Sequence, residues 1–194
     1  MRILILILVY LILFSCRQKS KIEILVTENL KYSAYSWHLS SDTPIFYLAH
    51  YLNADKKGHY SLMRRDTFMQ SPKYFKGDIP DSLIKTINEV FSTDYYRTDY
   101  SIKPEDNFIY DGLTYCIDYK KKDSIDKKIQ FIPVKSPDPI KHLSLLLDKL
   151  IYSSATEGID KFDTDQYSKE LSMFFLQTSG PLPRLEKAPF IFQK

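Results

Sequence analysis

From Ile3 to Phe14 the chain is apolar without a break, behind one basic residue, Arg2. As a helix, at about 1.5 Å of rise per residue, this run reaches only about 18 Å, against about 30 Å for the hydrocarbon core of a bilayer. A membrane span needs about 20 apolar residues, whereas the apolar region of a secretory signal needs about 7–15. The run stops at Ser15-Cys16 and gives way to Arg17-Gln-Lys-Ser-Lys21. As an uncleaved anchor it would leave three basic residues outside against one inside, the reverse of the usual bias. The segment therefore reads as a signal peptide covering residues 1–15, and what folds is the chain that follows it.

That chain has the makings of an ordinary globular protein. Of the 194 residues, 44% are hydrophobic and 26% charged, which excludes a disordered or collagen-like chain. Two cysteines exclude a disulfide-dense scaffold. A formal charge of +3, one unit of which leaves with Arg2, gives no reason to expect a nucleic-acid partner.

Leu13, Ser15 and Cys16 match a short motif. Through them the N-terminus resembles that of bacterial lipoproteins, whose lipobox places a leucine three residues before a cysteine and a small residue just before it. The resemblance covers about sixteen residues. It implies that the Cys16 thiol takes a diacylglyceryl group, that cleavage falls between Ser15 and Cys16, and that the new amine is acylated, commonly by a fatty acid such as palmitate. The implied address is the cell envelope, with the chain held on a bacterial membrane at its periplasmic or surface face. One acyl chain anchors only marginally, so two or three make attachment durable. Residues 16–20 then form a lipidated tether and 21–194 a single globular domain. With Cys16 lipidated, Cys116 is a lone thiol in a strand-like stretch, best read as a small buried hydrophobe.

The rest of the chain alternates strands and helices. Lys21–Val26 and Ser33–Leu39 read as strands, and Ile45–Leu52 with His59–Arg65 as a hairpin over Asn53–Gly58. Thr67–Phe75 reads as a further extended stretch. Pro80-Asp81 opens a helix whose Leu83, Ile84, Ile87, Val90 and Phe91 share one face. Phe108–Tyr110 and Leu113–Lys120 flank the turn pair Asp111-Gly112, and Lys128–Val134 is the next strand. A second helix starts near Asp138-Pro139 and buries Ile140, Leu143, Leu146, Leu147, Leu150 and Ile151. A third, about Asp165–Phe175, buries Tyr167, Leu171, Phe174 and Phe175. The prolines after Gly180 stop it. A shift of 56 residues brings the first two helical stripes into phase, although any two amphipathic helices can be slid into register. Helices that follow groups of strands favour an α+β fold, a mainly antiparallel sheet with two or three helices packed on one face.

Chemistry-bearing patterns are few. His38, His50, His59 and His142 fall in no metal spacing, although His50 and His59 flank the hairpin turn and are candidates to face each other across it. Asp160, Asp163 and Asp165 are out of register for a calcium loop and suit the start of a helix. No nucleophile-elbow or phosphate-loop motif occurs, and five glycines leave little material for one. No catalytic residue, metal or cofactor is assigned. Tyrosine is the compositional excess, at fifteen. Tyr95, Tyr96, Arg97 and Tyr100 lie together in the stretch after the first helix, and exposed tyrosine with arginine is the composition of a binding hot spot; the competing reading is one more strand packed into the sheet. Lys120–Lys122 with Lys127-Lys128 reads as a solvated hairpin end that can also touch anionic headgroups near the anchor. The function expected is an envelope lipoprotein that binds another protein, as an accessory or immunity-type partner. An envelope hydrolase or glycan-binding protein is the alternative.

Overall fold

A computed structural model describes residues 24–40, 43–67, 70–92, 96–101, 112–153 and 157–179. Eight strands form one sheet: β1 (Thr27–Ser40), β2 (Thr43–Asp55), β3 (His59–Arg64), β4 (Lys73–Asp78), β5 (Asp99–Tyr100), β6 (Thr114–Lys121), β7 (Lys127–Phe131) and β8 (Glu157–Gly158). Their order across the sheet is β5-β7-β6-β1-β2-β3-β4-β8, antiparallel throughout except for β5 beside β7. The helices are α1 (Asp81–Phe91), α2 (Asp138–Tyr152) and α3 (Asp165–Ser179). On either side of the central β1/β2 pair a two-stranded hairpin leads into a helix, β3-β4 into α1 and β6-β7 into α2.

Each helix is set by its ends and its stripe. Pro80 and Pro137 sit at the caps of α1 and α2, and their carbonyls accept the first-turn N–H groups of Ile84 and Lys141, each at 3.0 Å. Asp81 and Asp138 put negative charge in the first turns, where the helix dipole favours it. At the other ends Ser92 donates to Glu89 O and Ser153 to Leu150 O, at 2.7 and 2.9 Å. The five apolar residues expected on α1 are all buried. On α2, Ile140, Leu143, Leu147 and Ile151 are buried, while Leu146 and Leu150 are partly covered.

Register decides which residues meet. Tyr32 pairs with Leu52 and Ile117, and Leu52 in turn with Leu62, so these four share one face. Under α1 and α2 they form the main core with Ile84, Ile87, Phe91, Leu143 and Leu147. Each such side chain contributes about 1.5–3 kcal/mol when fully buried. Ser33, Tyr51, Met63 and Cys116 point the other way, and α3 covers them with Tyr167 and Leu171. Tyr51 and Tyr167 stack at 4.2 Å, and the Tyr167 hydroxyl meets Ser33 Oγ at 3.1 Å.

The α+β reading, a mainly antiparallel sheet with two helices on one face, holds. The third helix lies on the opposite face, so the sheet is covered on both. Lys21–Val26 is not the first strand over its described part, residues 24–26: β1 starts at Thr27 and takes in the second expected strand as one 14-residue run. The hairpin β2-β3 forms with a tighter turn at Lys56–Gly58. Phe108–Tyr110, residues 1–23 and the tail after Ser179 lie outside the described residues.

Candidate functional site

Among the described residues a dense polar cluster lies where the C-terminal half of α2 crosses the sheet. β1 brings Tyr32, β2 His50, β3 Arg64 and β6 Tyr115, all on the α2 face, because Ala34 pairs with both His50 and Tyr115 and His50 with Arg64. The helix contributes Asp148 and, one turn later, Tyr152. The Tyr32 hydroxyl donates to Asp148 Oδ1 at 2.8 Å and that of Tyr115 to Oδ2 at 3.3 Å. Arg64 donates to the Ile151 carbonyl at 2.6 Å. Its guanidinium lies 4.6 Å from the Phe75 ring centre and 5.9 Å from that of Tyr152.

His50 is buried between Asp148 and Tyr152. Its Nδ1 is 3.3 Å from the Tyr152 hydroxyl and its Nε2 is 3.5 Å from Asp148 Oδ1, too long for a hydrogen bond. Burial drives the imidazole pKa down to about 3, so the ring is neutral and the approach to Asp148 is not an ion pair. A neutral ring carries one proton. Placing it on Nε2 turns a donor toward the carboxylate and leaves Nδ1 to accept from Tyr152, whereas the other tautomer would aim a lone pair at a negative charge. Burial raises the Asp148 carboxyl, against the opposing pull of hydrogen bonds from Tyr32 and Tyr115. Burial also raises the Tyr152 phenol, so it stays protonated at neutral pH.

The chain of phenol, imidazole and carboxylate has the order of a nucleophile relay, but its protonation states are those of a latch. An imidazole that stays neutral to about pH 3 is a weak base, and a phenol with a raised pKa is a weak nucleophile. The arrangement fixes α2 on the sheet and holds the Tyr152 ring in one orientation, edge-on to His50 with 5.8 Å between ring centres.

Tyr152 is nonetheless 48% exposed, and Leu145, seven residues earlier on α2, is 59% exposed. His142, Leu145, Lys149 and Tyr152 follow three- and four-residue spacing and so share the outward face. Beside this stripe runs a groove of about 440 Å³ between α1 and α2, lined by Pro80, Leu83, Thr86, Leu146, Lys149 and Leu150 among others.

Of the residues singled out in the sequence, His50 lies in this cluster and His142 on the adjoining stripe, while the other described ones lie elsewhere. Tyr96 and Tyr100 pack against the main core, with Tyr100 in the edge strand β5. The Tyr100 hydroxyl accepts from the exposed Arg97 N–H at 2.9 Å, and Tyr95 lies outside the described residues. His50 and His59 do not face each other. His50 pairs with Arg64 while His59 pairs with Asp78 and contacts its carboxylate at 2.5 Å, because the turn is centred closer to His59. Among the described residues no three His, Cys, Asp or Glu side chains form a metal-holding group. Asp163 accepts the Asp165 N–H at 2.8 Å, the helix-start role expected of it. Cys16 lies outside the described residues. Comparison with protein-family models, curated proteins and solved structures finds no match for this chain.

Proposed function

We propose that the chain is an envelope lipoprotein, anchored through lipid on Cys16, whose domain binds another protein as an accessory or immunity-type partner. The observation that carries the binding half is the outward face of α2. Leu145 and Tyr152 expose apolar surface there, and Tyr152 is pinned by His50 and Arg64. A rigid tyrosine loses little conformational freedom on association, which is why such residues serve as interface anchors. The anchoring half is supported by Leu13, Ser15 and Cys16 and by burial of the other cysteine, Cys116. Among the described residues no helix is long and apolar enough to cross a membrane. A tether raises the effective concentration of the domain for any partner on the same membrane.

The test places a photo-crosslinking side chain at Leu145 in the full chain, expressed in its own envelope. The expected result is one protein adduct that soluble mature chain competes away and that Tyr152→Ala weakens at least about tenfold. Adducts that resist such competition would overturn the binding reading. In parallel, Cys16→Ser is expected to release the chain from the membrane fraction, and retention of that variant would overturn lipid anchoring.

A further inference from the structure

The end of the sheet that holds residues 24–26 gathers features from three separate stretches of chain. Leu25 donates to the Lys56 carbonyl at 3.0 Å, and Asn88 of α1 brackets the same stretch, accepting from Val26 N–H at 2.6 Å and donating to Ile24 O at 2.8 Å. Residues 24–26 are thus fixed between the β2-β3 turn and α1. Thr27 pairs with Lys121 and Asn29 with both Asp55 and Lys120, so the β2-β3 and β6-β7 turns project from this same end.

The surface there is basic and apolar together. Lys56, Lys57, Lys120 and Lys122 are exposed, and Ile125, in the β6-β7 turn, is 86% exposed, more than any other large hydrophobic described. Ile24 and Val26 are exposed at the same end of the sheet, at 48% and 41%. Of the acidic residues at this end three have partners, while Asp123, in the β6-β7 turn beside Lys122, is exposed. Glu28 pairs with Lys56 at 2.8 Å and Asp126 lies 3.9 Å from Lys120. Asp55 accepts the N–H groups of Lys57 and His59 at 2.8 and 3.0 Å, which caps the turn. With Lys56 and Lys120 near carboxylates, Lys57 and Lys122 carry the outward positive charge, opposed there by Asp123 alone among these acids. In sequence, Arg17, Lys19 and Lys21 extend it toward Cys16.

We infer that this end is a membrane-docking surface: Ile125 enters the headgroup region of an anionic phospholipid bilayer while Lys57 and Lys122 pair with lipid phosphates. The inference rests on the lipid-anchored reading. A bare tether would leave the domain free to tumble, whereas lysines are drawn to an anionic surface and an apolar wedge adds to that hold. Docking here fixes which parts of the domain face away from the membrane.

The test uses the lipidated chain reconstituted in vesicles of phosphatidylethanolamine and phosphatidylglycerol, with a nitroxide on Ile125→Cys or, for comparison, Leu145→Cys. Collision with a water-soluble nickel reagent reads depth, and vesicle flotation with the mass of the N-terminal peptide reads anchoring. The expected result is a label shielded at 125 and open at 145. Lys57→Glu with Lys122→Glu should lower the docked-to-free ratio by about tenfold or more. Chain that floats with its lipid in place while position 125 stays as accessible as 145 overturns docking and leaves anchoring intact. Equal shielding on phosphatidylcholine vesicles overturns the choice of anionic lipid. Chain with an unmodified Cys16 that does not float overturns the anchor and the docking surface together.

Discussion

The Tyr32 hydroxyl, at the centre of the sheet, donates a 2.8 Å hydrogen bond to Asp148 Oδ1 on α2, across 116 residues of sequence. It gives a half-buried carboxylate, whose pKa burial raises, one of its two tyrosine donors. Tyr32→Phe keeps the ring and removes the donor, so it is expected to cost about 1–3 kcal/mol. Urea unfolding should show a lower midpoint with an unchanged slope. Tyr32→Phe combined with Asp148→Leu should cost less than the sum of the single variants, because the pair acts as a unit.

His50 ties stability to pH. Burial lowers its pKa to about 3 in the fold from 6.5. Between those values the unfolded chain holds a proton that the fold excludes. The His50 contribution is therefore complete above pH 6.5 and declines as pH falls, by up to about 1.4 kcal/mol per unit. Asp148 works in the opposite sense. Its raised pKa makes the fold bind the extra proton, a contribution present below the ordinary carboxylate range and lost as pH rises through the folded value. Where the two windows overlap, the Asp148 slope opposes that of His50. Unfolding free energy measured from pH 7 to pH 5 should fall in the native chain, and His50→Asn should remove the part of the slope that His50 supplies.

Gly58 closes the β2-β3 turn with a φ of +84°, and a Cβ there would stand 3.0 Å from Ile84 Cδ1. Gly58→Ala meets both the backbone penalty and that contact, for an expected loss of about 1–3 kcal/mol. Gly158 has nothing within 4 Å of an added Cβ, so Gly158→Ala should be close to neutral. Thermal melts of the two variants give the comparison.

Cys116 is fully buried, and burial pushes its thiol up to about 12. Native chain at pH 8 is expected to resist iodoacetamide there, and urea-unfolded chain to react within the ordinary time of a free thiol. Mass spectrometry of the peptide holding Cys116 reads both.

Local patterns made α1, α2 and the β2-β3 hairpin legible, because their signals are short-range: Pro-Asp starts, three- and four-residue stripes, and a turn closed by Gly58. They did not reveal that Thr27–Ser40 is one strand. Its residues Ser33 and Tyr35 pack on the α3 face while Tyr32 and Ala34 pack on the other, so apolar and polar positions do not alternate cleanly. Nor is the polar cluster visible in sequence. His50 and Asp148 meet only through the sheet register and the seating of α2, and nothing near either residue signals the other. Tyr100 shows the limit of composition, since its ring packs on the core from an edge strand.

The sheet's two outermost members, β5 and β8, are each only two residues long. Copies held on a lipid leaflet collide far more often than copies in bulk water, and every long ladder left open would be an invitation to zip into fibrils. The two outermost strands are stubs, so copies anchored as proposed would find in them little backbone template to extend.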